Sequence, residues 1–218
     1  MQEVVIIPAY NESKYLLDVI LKTKKFVDNI IVVNDGSTDN TLEILDQIER
    51  ITVLNHPINL GKGAALKTGC DYAFKNDAKK IVVMDADGQH NPGRIIEFIE
   101  KLNQYDLIFG YRKRSKKMPA LMRIGNWGLN QLVLMLFKVK IKDTQCGFRA
   151  FNAKVYPKIR WQTDDYSMES EMIAKAGKHK INYAEIPIET IYQDNYKGTT
   201  ILDGMKIGLN MLFWRFRQ

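Results

Sequence analysis

Residues 80–89 read KIVVMDADGQ, an apolar run that ends directly in a polar segment. Lys80–Met84 has the composition of a buried strand, and Asp85, Asp87 and Gln89 follow it at alternate positions. Alternate side chains of an extended chain emerge on the same side, so these three would point into one crevice. Mg²⁺ and Mn²⁺ prefer oxygen ligands and combine a few carboxylates with substrate phosphates and water. The segment therefore predicts a divalent-cation site, with Asp87 and Gln89 as ligands and Asp85 ordering the site or contacting a ribose.

Strands and helices alternate through the first half of the chain. This alternation predicts an α/β fold with a mainly parallel central sheet and helices on both faces. The predicted strands are Val4–Pro8, Asn29–Asn34, Ile51–Asn55, Lys80–Met84 and Asp106–Gly110, and the predicted helices are Tyr15–Lys24, Asn40–Arg50, Gly61–Ala73 and Gly93–Leu102. Ile181–Ile188 predicts a further strand, and Thr200–Phe216 a last helix. The length of 218 residues and the absence of an internal repeat favour one domain over residues 1–218.

Polar segments follow four of the predicted strands. A lone Asp-x-Asp is more often a turn or a solvated pair, but ligands of parallel sheets gather at the carboxyl ends of the strands. Matching polar loops at several strand ends therefore favour a binding site. These segments are Pro8–Glu12, Asp35–Asp39, Asn59–Lys62 and Asp85–Gln89. Together they predict a nucleotide site in residues 1–110.

The segment Asn59–Ala64 carries two glycines and opens a predicted helix. Free N–H groups at a helix N-terminus attract phosphates, and Lys62 would add positive charge. Taken alone, the segment indicates only the start of a helix. It has neither the Walker pattern nor the dinucleotide Gly-x-Gly-x-x-Gly, which argues against a P-loop or nicotinamide site.

Basic residues outnumber acidic ones, 32 Lys and Arg against 25 Asp and Glu, for a formal net charge of +7. This balance suits nucleic acid, an anionic membrane surface or a phosphorylated substrate, and it is also typical of a solvated basic face. Zinc-finger spacing, an RNA-recognition motif and a basic-region heptad are all missing, so nucleic acid is not expected as a partner. The excess is concentrated in Arg112, Lys113, Arg114, Lys116, Lys117, Lys138, Lys140, Lys142, Lys206, Arg215 and Arg217. Cys70 and Cys146 are predicted to be reduced thiols of a cytosolic protein, and we expect no signal peptide.

Four motifs of the first half have the order and spacing seen in family 2 glycosyltransferases, whose fold is called GT-A. They are Ile7–Glu12, Val33–Asp39, Asn59–Ala64 and Met84–His90. The second half resembles the dolichyl-phosphate mannose synthase branch of that family at Gly110–Arg112, Asp143–Phe151, Glu185–Ile188 and Tyr196–Thr200. The resemblance implies transfer of a hexose, mannose or glucose, from a nucleoside-diphosphate sugar to a polyprenyl or dolichyl phosphate, with inversion. It further implies a nucleotide-sugar-binding half over residues 1–110 and an acceptor-binding half over residues 111–218.

The same resemblance assigns roles to individual residues. The donor would be bound by Pro8, Tyr10, Glu12, Asp35, Asp85 and Lys197, the last reaching the donor diphosphate or the acceptor phosphate, and Lys62 is added to this set by the helix start described above. Mg²⁺ or Mn²⁺ would be held by Asp87, Gln89 and Asp85. Catalysis would depend on Asp87, together with Arg112 and Arg123 as ligands of the acceptor phosphate. Asn34 stands where relatives often carry a second Asp, which leaves base recognition to Asp35.

An acceptor phosphate and an acceptor hydroxyl need different catalytic groups. A hydroxyl must lose a proton as it attacks, so its transferase needs a placed general base. A phosphate monoester, with a second pKa of about 6, is already ionised at pH 7 and needs only cationic groups that position it. Asp143, Glu169 and Glu171 are the candidate bases of the second half, although Glu169 and Glu171 would equally suit solvent exposure or a helix cap. The three histidines, His56, His90 and His179, are predicted to be neither ligands nor bases.

Alternatives to a lipid-phosphate glycosyltransferase remain open. A family 2 transferase acting on a saccharide hydroxyl would need a general base in the second half. A nucleotidyltransferase that makes sugar nucleotides shares the α/β architecture but has a glycine-rich loop where Pro8-Ala9-Tyr10 stands. A relative that only binds its ligands would not need Asp85, Asp87 and Gln89 intact.

Two segments of the second half, residues 118–137 and 200–216, combine apolar and basic residues. A membrane-spanning helix needs about 20 predominantly apolar residues, and polar residues interrupt the first segment. We therefore expect interfacial helices and a peripheral location on the cytoplasmic face of the membrane. The alternative is that both segments pack on the core or on a second subunit.

Overall fold

The computed structural model describes residues 1–112, 120–189 and 201–216. The strands are β1 (Glu3–Ala9), β2 (Ile30–Asp35), β3 (Thr52–His56), β4 (Lys80–Val83), β5 (Leu107–Arg112), β6 (Arg149–Asn152) and β7 (Tyr183–Ile188). The helices are α1 (Leu16–Thr23), α2 (Thr41–Asp46), α3 (Lys62–Lys75), α4 (Ile95–Lys101), α5 (Ala120–Phe137), α6 (Tyr156–Ile159), α7 (Met168–Lys178) and α8 (Ile201–Phe216). Short 3₁₀ turns precede α4 and α6.

Within these residues the strands form one sheet in the order β3-β2-β1-β4-β6-β5-β7. Neighbouring strands are parallel except at β6, which is antiparallel to both β4 and β5. The carboxyl ends of β1, β2 and β4 therefore meet at one edge of the sheet. The predicted α/β fold with a mainly parallel sheet is confirmed.

The apolar run of β1 explains why two layers of helices form. Val4, Val5, Ile6 and Ile7 are all 0% exposed, as expected for a parallel strand covered on both faces. Val4 and Ile6 belong to the core beneath α3, α5, α7 and α8. Val5 and Ile7 belong to the core beneath α1, α2 and α4. Strand periodicity thus divides consecutive residues of one strand between two hydrophobic layers.

The strand β6 was not predicted from the sequence. Its Phe151 pairs with Ile81 of β4 and Leu107 of β5, so β6 separates two strands that are consecutive in the chain. The expected helix from Asn40 to Arg50 is also shorter, because α2 ends at Asp46. These two corrections leave the predicted carboxyl edge unchanged.

Glu169 and Glu171 were expected to face solvent or to cap a helix. The expectation that they face solvent was wrong. Both residues lie in the first turn of α7, and both are 2% exposed. The carboxylate of Glu171 accepts hydrogen bonds from the backbone N–H groups of Gln162 and Thr163, and it lies 2.9 Å from Lys175 Nζ. Glu171 therefore fixes the segment that leads into α7.

The helices α5 and α8 pack on the core with their inner faces only. Val133, Ile207 and Met211 are buried in the layer that α3 shares. On the outer faces, the large apolar side chains that remain exposed include Trp127, Met135, Met205, Leu209 and Phe213. Among the described residues, no helix combines the length and apolar character needed to cross a membrane. Residues 118–119 and 200 of the predicted interfacial segments lie outside the description.

Candidate functional site

A cavity of about 770 Å³ opens at the carboxyl ends of β1, β2 and β4. Seven predicted site residues line it, namely Pro8, Tyr10, Glu12, Asp35, Lys62, Asp85 and Asp87. Of the other predicted site residues, Gln89 and Arg112 are described but fall outside the lining. Lys197 and the side chain of Arg123 lie outside the description. The volume is in the range of small-molecule sites, and residues from four separated motifs share it.

Asp85 is held in place by Lys62, the first residue of α3. Lys62 Nζ lies 2.7 Å from Asp85 Oδ1 and 2.9 Å from Glu169 Oε1. Although burial acts in the opposite direction, the two carboxylates raise the pKa of Lys62 well above its usual range. Likewise, burial favours a higher pKa for Asp85, but the charge of Lys62 brings this pKa below its usual value. Asp85 is thus a charged group whose position is set jointly by α3 and α7.

Asp87 lies at a tight turn beside Asp85. Gly88 has φ +72°, a conformation that favours glycine, and the N–H of Gln89 donates to Asp87 Oδ1 at 2.9 Å. Burial, and then the negative charge of Asp85, raise the pKa of Asp87. Two carboxylates that disfavour each other's charge fit a site for a divalent cation, which would relieve the repulsion.

The donor set also fits the expected metal. Among the described residues, no group of three His, Cys, Asp or Glu side chains is arranged so that it could hold a metal ion, so protein side chains of these types alone would not complete a coordination shell. Mg²⁺ is commonly bound by one or two carboxylates, with phosphates and water as the other ligands. Asp85, Asp87 and the amide oxygen of Gln89 therefore suit Mg²⁺ or Mn²⁺ bound together with a diphosphate.

Asp35 ends β2 and is buried at 3% exposure, although it lines the cavity. Its Oδ1 accepts from the N–H of Leu60 at 3.0 Å and lies 2.7 Å from His56 Nδ1, while its Oδ2 accepts from the N–H of Gly61 at 2.8 Å. His56 Nε2 lies 3.0 Å from Thr68 Oγ1 on α3. The sequence did not indicate that His56 takes part in the site. Its position at the end of β3, level with Asp35, was the available signal.

The preceding residue, Asn34, has a structural role in the same turn. Its side-chain amide donates to Asn55 Oδ1 at 3.1 Å, and its Oδ1 accepts from the N–H of Ser37 at 3.1 Å. Asn34 is absent from the residues that line the cavity in the described part of the chain. The asparagine therefore stabilises the loop that carries Asp35.

The N-terminus of α3 is not open to a phosphate in the way the sequence suggested. The N–H groups of Gly63 and Ala64 both donate to the carbonyl oxygen of Asp164, at 2.8 and 3.2 Å. Trp161 Nε1 donates to the carbonyl oxygen of Gly63 at 2.8 Å. Because the carbonyl oxygen of Asp164 accepts from both Gly63 and Ala64, these two N–H groups are not available to a phosphate.

This segment continues into a wall of the cavity that the sequence did not indicate. Asp165 and Tyr166 line the cavity together with residues of the first half. The helix α8 is tied to the same wall, because Lys206 Nζ lies 2.6 Å from Asp165 Oδ2 and Asn210 Nδ2 donates to Ser167 Oγ at 3.1 Å. Polar contacts therefore connect α8 with the lining of the cavity.

Arg112 forms a paired contact at the end of β5. Its Nε and Nη2 donate to the two carboxylate oxygens of Asp143, at 2.7 and 3.0 Å. Asp143 is buried, which favours a higher pKa, but the Arg112 guanidinium holds its pKa below the usual value. The charge of Arg112 also contributes to lowering the pKa of Asp85. Arg112 thus places positive charge near the cavity without lining it.

A second arginine, Arg149, binds backbone carbonyl groups of two segments that lie next to the site. It is 1% exposed and donates to the carbonyl oxygens of Cys146, Glu169 and Thr144, at 2.9, 2.6 and 2.8 Å. These contacts join the loop before β6 to the first turn of α7. Gly147 of that loop packs directly on the Asp85 carboxylate. Arg149 therefore stabilises two of the segments that surround Asp85.

Comparison with known proteins agrees with this geometry. The family model described as Glycosyl transferase family 2 matches residues 4–160. UDP-N-acetylglucosamine–dolichyl-phosphate N-acetylglucosaminyltransferase of Methanococcus voltae is 33% identical, over 95% of this chain and 93% of its own. Polyprenol monophosphomannose synthase of Mycolicibacterium smegmatis is 28% identical, over 93% of this chain and 82% of its own.

Solved structures show the same fold. Glucosyl-3-phosphoglycerate synthase from Mycobacterium tuberculosis, in complex with uridine diphosphate, superposes with a TM-score of 0.79 at 16% identity. The match covers 98% of this chain and 79% of that protein. The sheet, the cavity at its carboxyl edge and the family match all agree: the chain belongs to glycosyl transferase family 2 and has the GT-A fold.

Proposed function

We propose that this glycosyltransferase moves a hexose, mannose or glucose, from a nucleoside-diphosphate sugar to a polyprenyl or dolichyl phosphate, with inversion. The names of its relatives support the acceptor, since one is a dolichyl-phosphate and another a polyprenol-phosphate transferase. Residues 1–110 would bind the donor and residues 111–218 the acceptor, within one domain. The pairing of the candidate general bases with cations is the geometric observation that bears on the acceptor class.

The main supporting observation is that each of the three candidate general bases has a cationic partner, although Glu169 Oε2 has no hydrogen-bond partner among the described residues. Asp143 is paired with Arg112, and the carboxylate of Glu171 accepts from two backbone N–H groups and from Lys175. Glu169 lies beside Lys62. A hydroxyl acceptor needs a group able to take up its proton, whereas an ionised phosphate does not. The pairing of each carboxylate with a cation therefore favours a phosphate acceptor over a saccharide hydroxyl.

In this proposal the first-half residues hold the donor. Pro8, Tyr10, Glu12 and Asp35 would bind base and ribose, while Lys62 would hold Asp85 toward the ribose and the metal. Asp87, Gln89 and Asp85 would bind Mg²⁺ or Mn²⁺, which when present would neutralise charge on the departing diphosphate. Solved structures of a protein with the same fold contain Mn²⁺ and uridine diphosphate, and this supports the metal.

The acceptor would enter from the side of the second half. Arg112 and Arg123 would orient its phosphate, and Lys197 would contact the donor diphosphate or the acceptor phosphate. The exposed apolar side chains of α5 and α8, with Arg215 at the end of α8, suit contact with an anionic membrane surface. We therefore propose a peripheral location on the cytoplasmic face of the membrane.

The test is sugar transfer into a product that extracts into organic solvent. Purified protein would receive labelled GDP-mannose, UDP-glucose or UDP-N-acetylglucosamine, with polyprenyl phosphate in anionic vesicles and Mg²⁺ or Mn²⁺. We expect lipid-linked product with at least one donor, and its loss with a chelator or with Asp87→Ala. The same vesicles should carry the protein to the pellet at low salt.

Each failure of this test has a separate meaning. Transfer only to soluble saccharides would establish the runner-up, a family 2 transferase acting on a hydroxyl. Full activity in the presence of chelator would exclude the metal role of Asp87. Absence of turnover with every donor and acceptor would leave a protein that binds but does not transfer.

A substitution at Gly147 tests whether the position of Asp85 matters for the reaction. A Cβ at residue 147 would lie 2.4 Å from Asp85 Oδ2, so the Asp85 carboxylate, whose Oδ1 contacts Lys62, would have to shift. We expect Gly147→Ala to lower the transfer rate by about a hundredfold, a typical effect of misplacing a catalytic group by about 1 Å. The matched control is Gly125→Ala, where a Cβ meets nothing within 4 Å. Normal kinetics for Gly147→Ala would show that the transfer rate does not depend on the position of the Asp85 carboxylate.

A further inference from the structure

The carboxylate of Asp35 has unusually little hydrogen-bonding capacity left for a ligand. An ionised carboxylate offers about four acceptor positions, two on each oxygen. Among the described residues, Oδ1 is contacted by the N–H of Leu60 and by His56 Nδ1, which uses both of its positions. Oδ2 accepts from the N–H of Gly61 alone. One acceptor position therefore remains, and it is on Oδ2.

The arrangement that occupies Oδ1 is held from several directions. His56 stands at the end of β3, in register with Asp35 of β2, and its other ring nitrogen contacts Thr68 of α3. Gly36 has φ +67° and packs against the backbone of Ile58 and Asn59. This close approach keeps the loop before α3 against Asp35, so its N–H groups stay on the carboxylate. The loop before α3 and the end of β3 thus hold the two groups that occupy Oδ1 in place.

Nucleobases differ in what they present to such a carboxylate. Guanine offers two adjacent donors, N1–H and N2–H, which pair with both oxygens of a carboxylate at once. Uracil offers a single donor, N3–H, flanked by two carbonyl acceptors. A carboxylate with one open position on one oxygen can accept from uracil N3–H, but it cannot form the paired contact with guanine.

We propose that this site selects a uridine nucleotide over a guanosine nucleotide, with His56 as the residue that sets the preference by occupying Asp35 Oδ1. The inference rests on the proposed function in that Asp35 is taken to face the donor base. Asn59 lines the same cavity, and its Oδ1 accepts from the N–H of Gly61. Its amide N–H groups can donate to a base carbonyl, which both uracil and guanine present, so the preference is assigned to Asp35 and His56 alone. Among the donor sugars considered above, UDP-linked hexoses are therefore the expected substrates.

The test compares nucleotide affinities by titration calorimetry. UMP and GMP, without metal, isolate the base from the diphosphate, and UDP and GDP with Mn²⁺ repeat the comparison in the complete site. We expect the uridine nucleotide to bind at least about tenfold more tightly in both pairs, since an unpaired buried polar group costs about 1–3 kcal/mol. Equal affinities, or tighter binding of the guanosine nucleotides, would overturn the proposal.

Substitutions at His56 separate this role from a merely structural one. In His56→Leu the Oδ1 position is released, so the ratio of the two affinities should fall toward one. In His56→Gln a side-chain N–H can replace the imidazole donor, so the preference should return. His179→Leu is the matched control, because His179 is an exposed histidine at the end of α7. A preference that survives unchanged in His56→Leu would contradict the assigned role even if the uridine preference itself is found.

The outcome is independent of the acceptor. A uridine preference without lipid-linked product would leave this inference standing and remove the proposed acceptor. Lipid-linked product formed from GDP-mannose but not from UDP-hexoses would support the proposed acceptor and contradict this inference. Binding of neither nucleotide would contradict this inference together with the proposed donor.

Discussion

Replacing Lys62 with methionine is expected to lower the transfer rate by at least about a hundredfold and the free energy of unfolding by about 3 kcal/mol. Lys62 Nζ is shared between Asp85 and Glu169, and the Glu169 side chain is only 3% exposed. Methionine fills a similar volume but leaves two carboxylates facing each other without a counter-charge. Breaking a buried ion pair on one side costs more than the pair contributes, because the remaining charge stays desolvated.

Kinetics and denaturant unfolding of two further variants separate the loss of stability from the loss of transfer rate. Lys67→Met removes a lysine of the same helix whose partner, Asp164, is 62% exposed, so its unfolding free energy should change by less than about 1 kcal/mol. The double variant Lys62→Met, Glu169→Gln should recover much of the lost stability, since the uncompensated charge of Glu169 is gone. It should not recover the transfer rate, because Asp85 still lacks its counter-charge. Wild-type stability in Lys62→Met alone would show that the two carboxylates do not depend on this lysine.

Arg149→Met should lower the free energy of unfolding by about 3 kcal/mol, a large share of the 5–15 kcal/mol typical of a domain. Arg149 donates to three carbonyl oxygens that belong to the buried residues Thr144, Cys146 and Glu169. Methionine packs in the same space but donates nothing, and each unsatisfied buried group costs about 1–3 kcal/mol. Arg149→Lys should not restore stability fully, because an ammonium lacks the planar fork that reaches three acceptors.

Urea unfolding followed by circular dichroism measures this effect. The control is Arg160→Met, since Arg160 forms a comparable bidentate contact with Asp71 but is 44% exposed. A loss of under about 1 kcal/mol is expected there. Equal losses of unfolding free energy for the two variants would show that the three buried carbonyl groups do not account for the effect of Arg149→Met.

The first half of the fold could be predicted because its signals are local. A strand such as Val4–Ile7 is buried on both faces and therefore reads as a continuous apolar run. The polar residues that follow Met84 stand where a parallel sheet places its ligands. For the same reason, seven of the predicted site residues line one cavity although they come from separate motifs.

What the sequence did not indicate depends on distant partners. The segment Arg149–Asn152 carries only four strand residues, and its place between β4 and β5 follows from antiparallel pairing with both. Glu169 and Glu171 look like surface carboxylates of a helix start, because Lys62, which contacts Glu169, and the backbone N–H of Gln162, which donates to Glu171, belong to other segments of the chain. His56 is likewise unremarkable in the sequence, since its partner Asp35 lies on the neighbouring strand.

The contacts of Lys206 and Asn210 with the segment that carries Asp165 and Ser167 join an apolar helix surface to the lining of the cavity at the carboxyl edge of the sheet. Two sites connected in this way obey thermodynamic linkage: if occupancy of one changes affinity at the other by some factor, the reverse effect has the same factor. A surface that binds the outer face of α8 more tightly when the cavity is filled will therefore strengthen nucleotide binding equally. If such a surface exists, occupancy of the cavity and attachment of α8 are parts of one equilibrium.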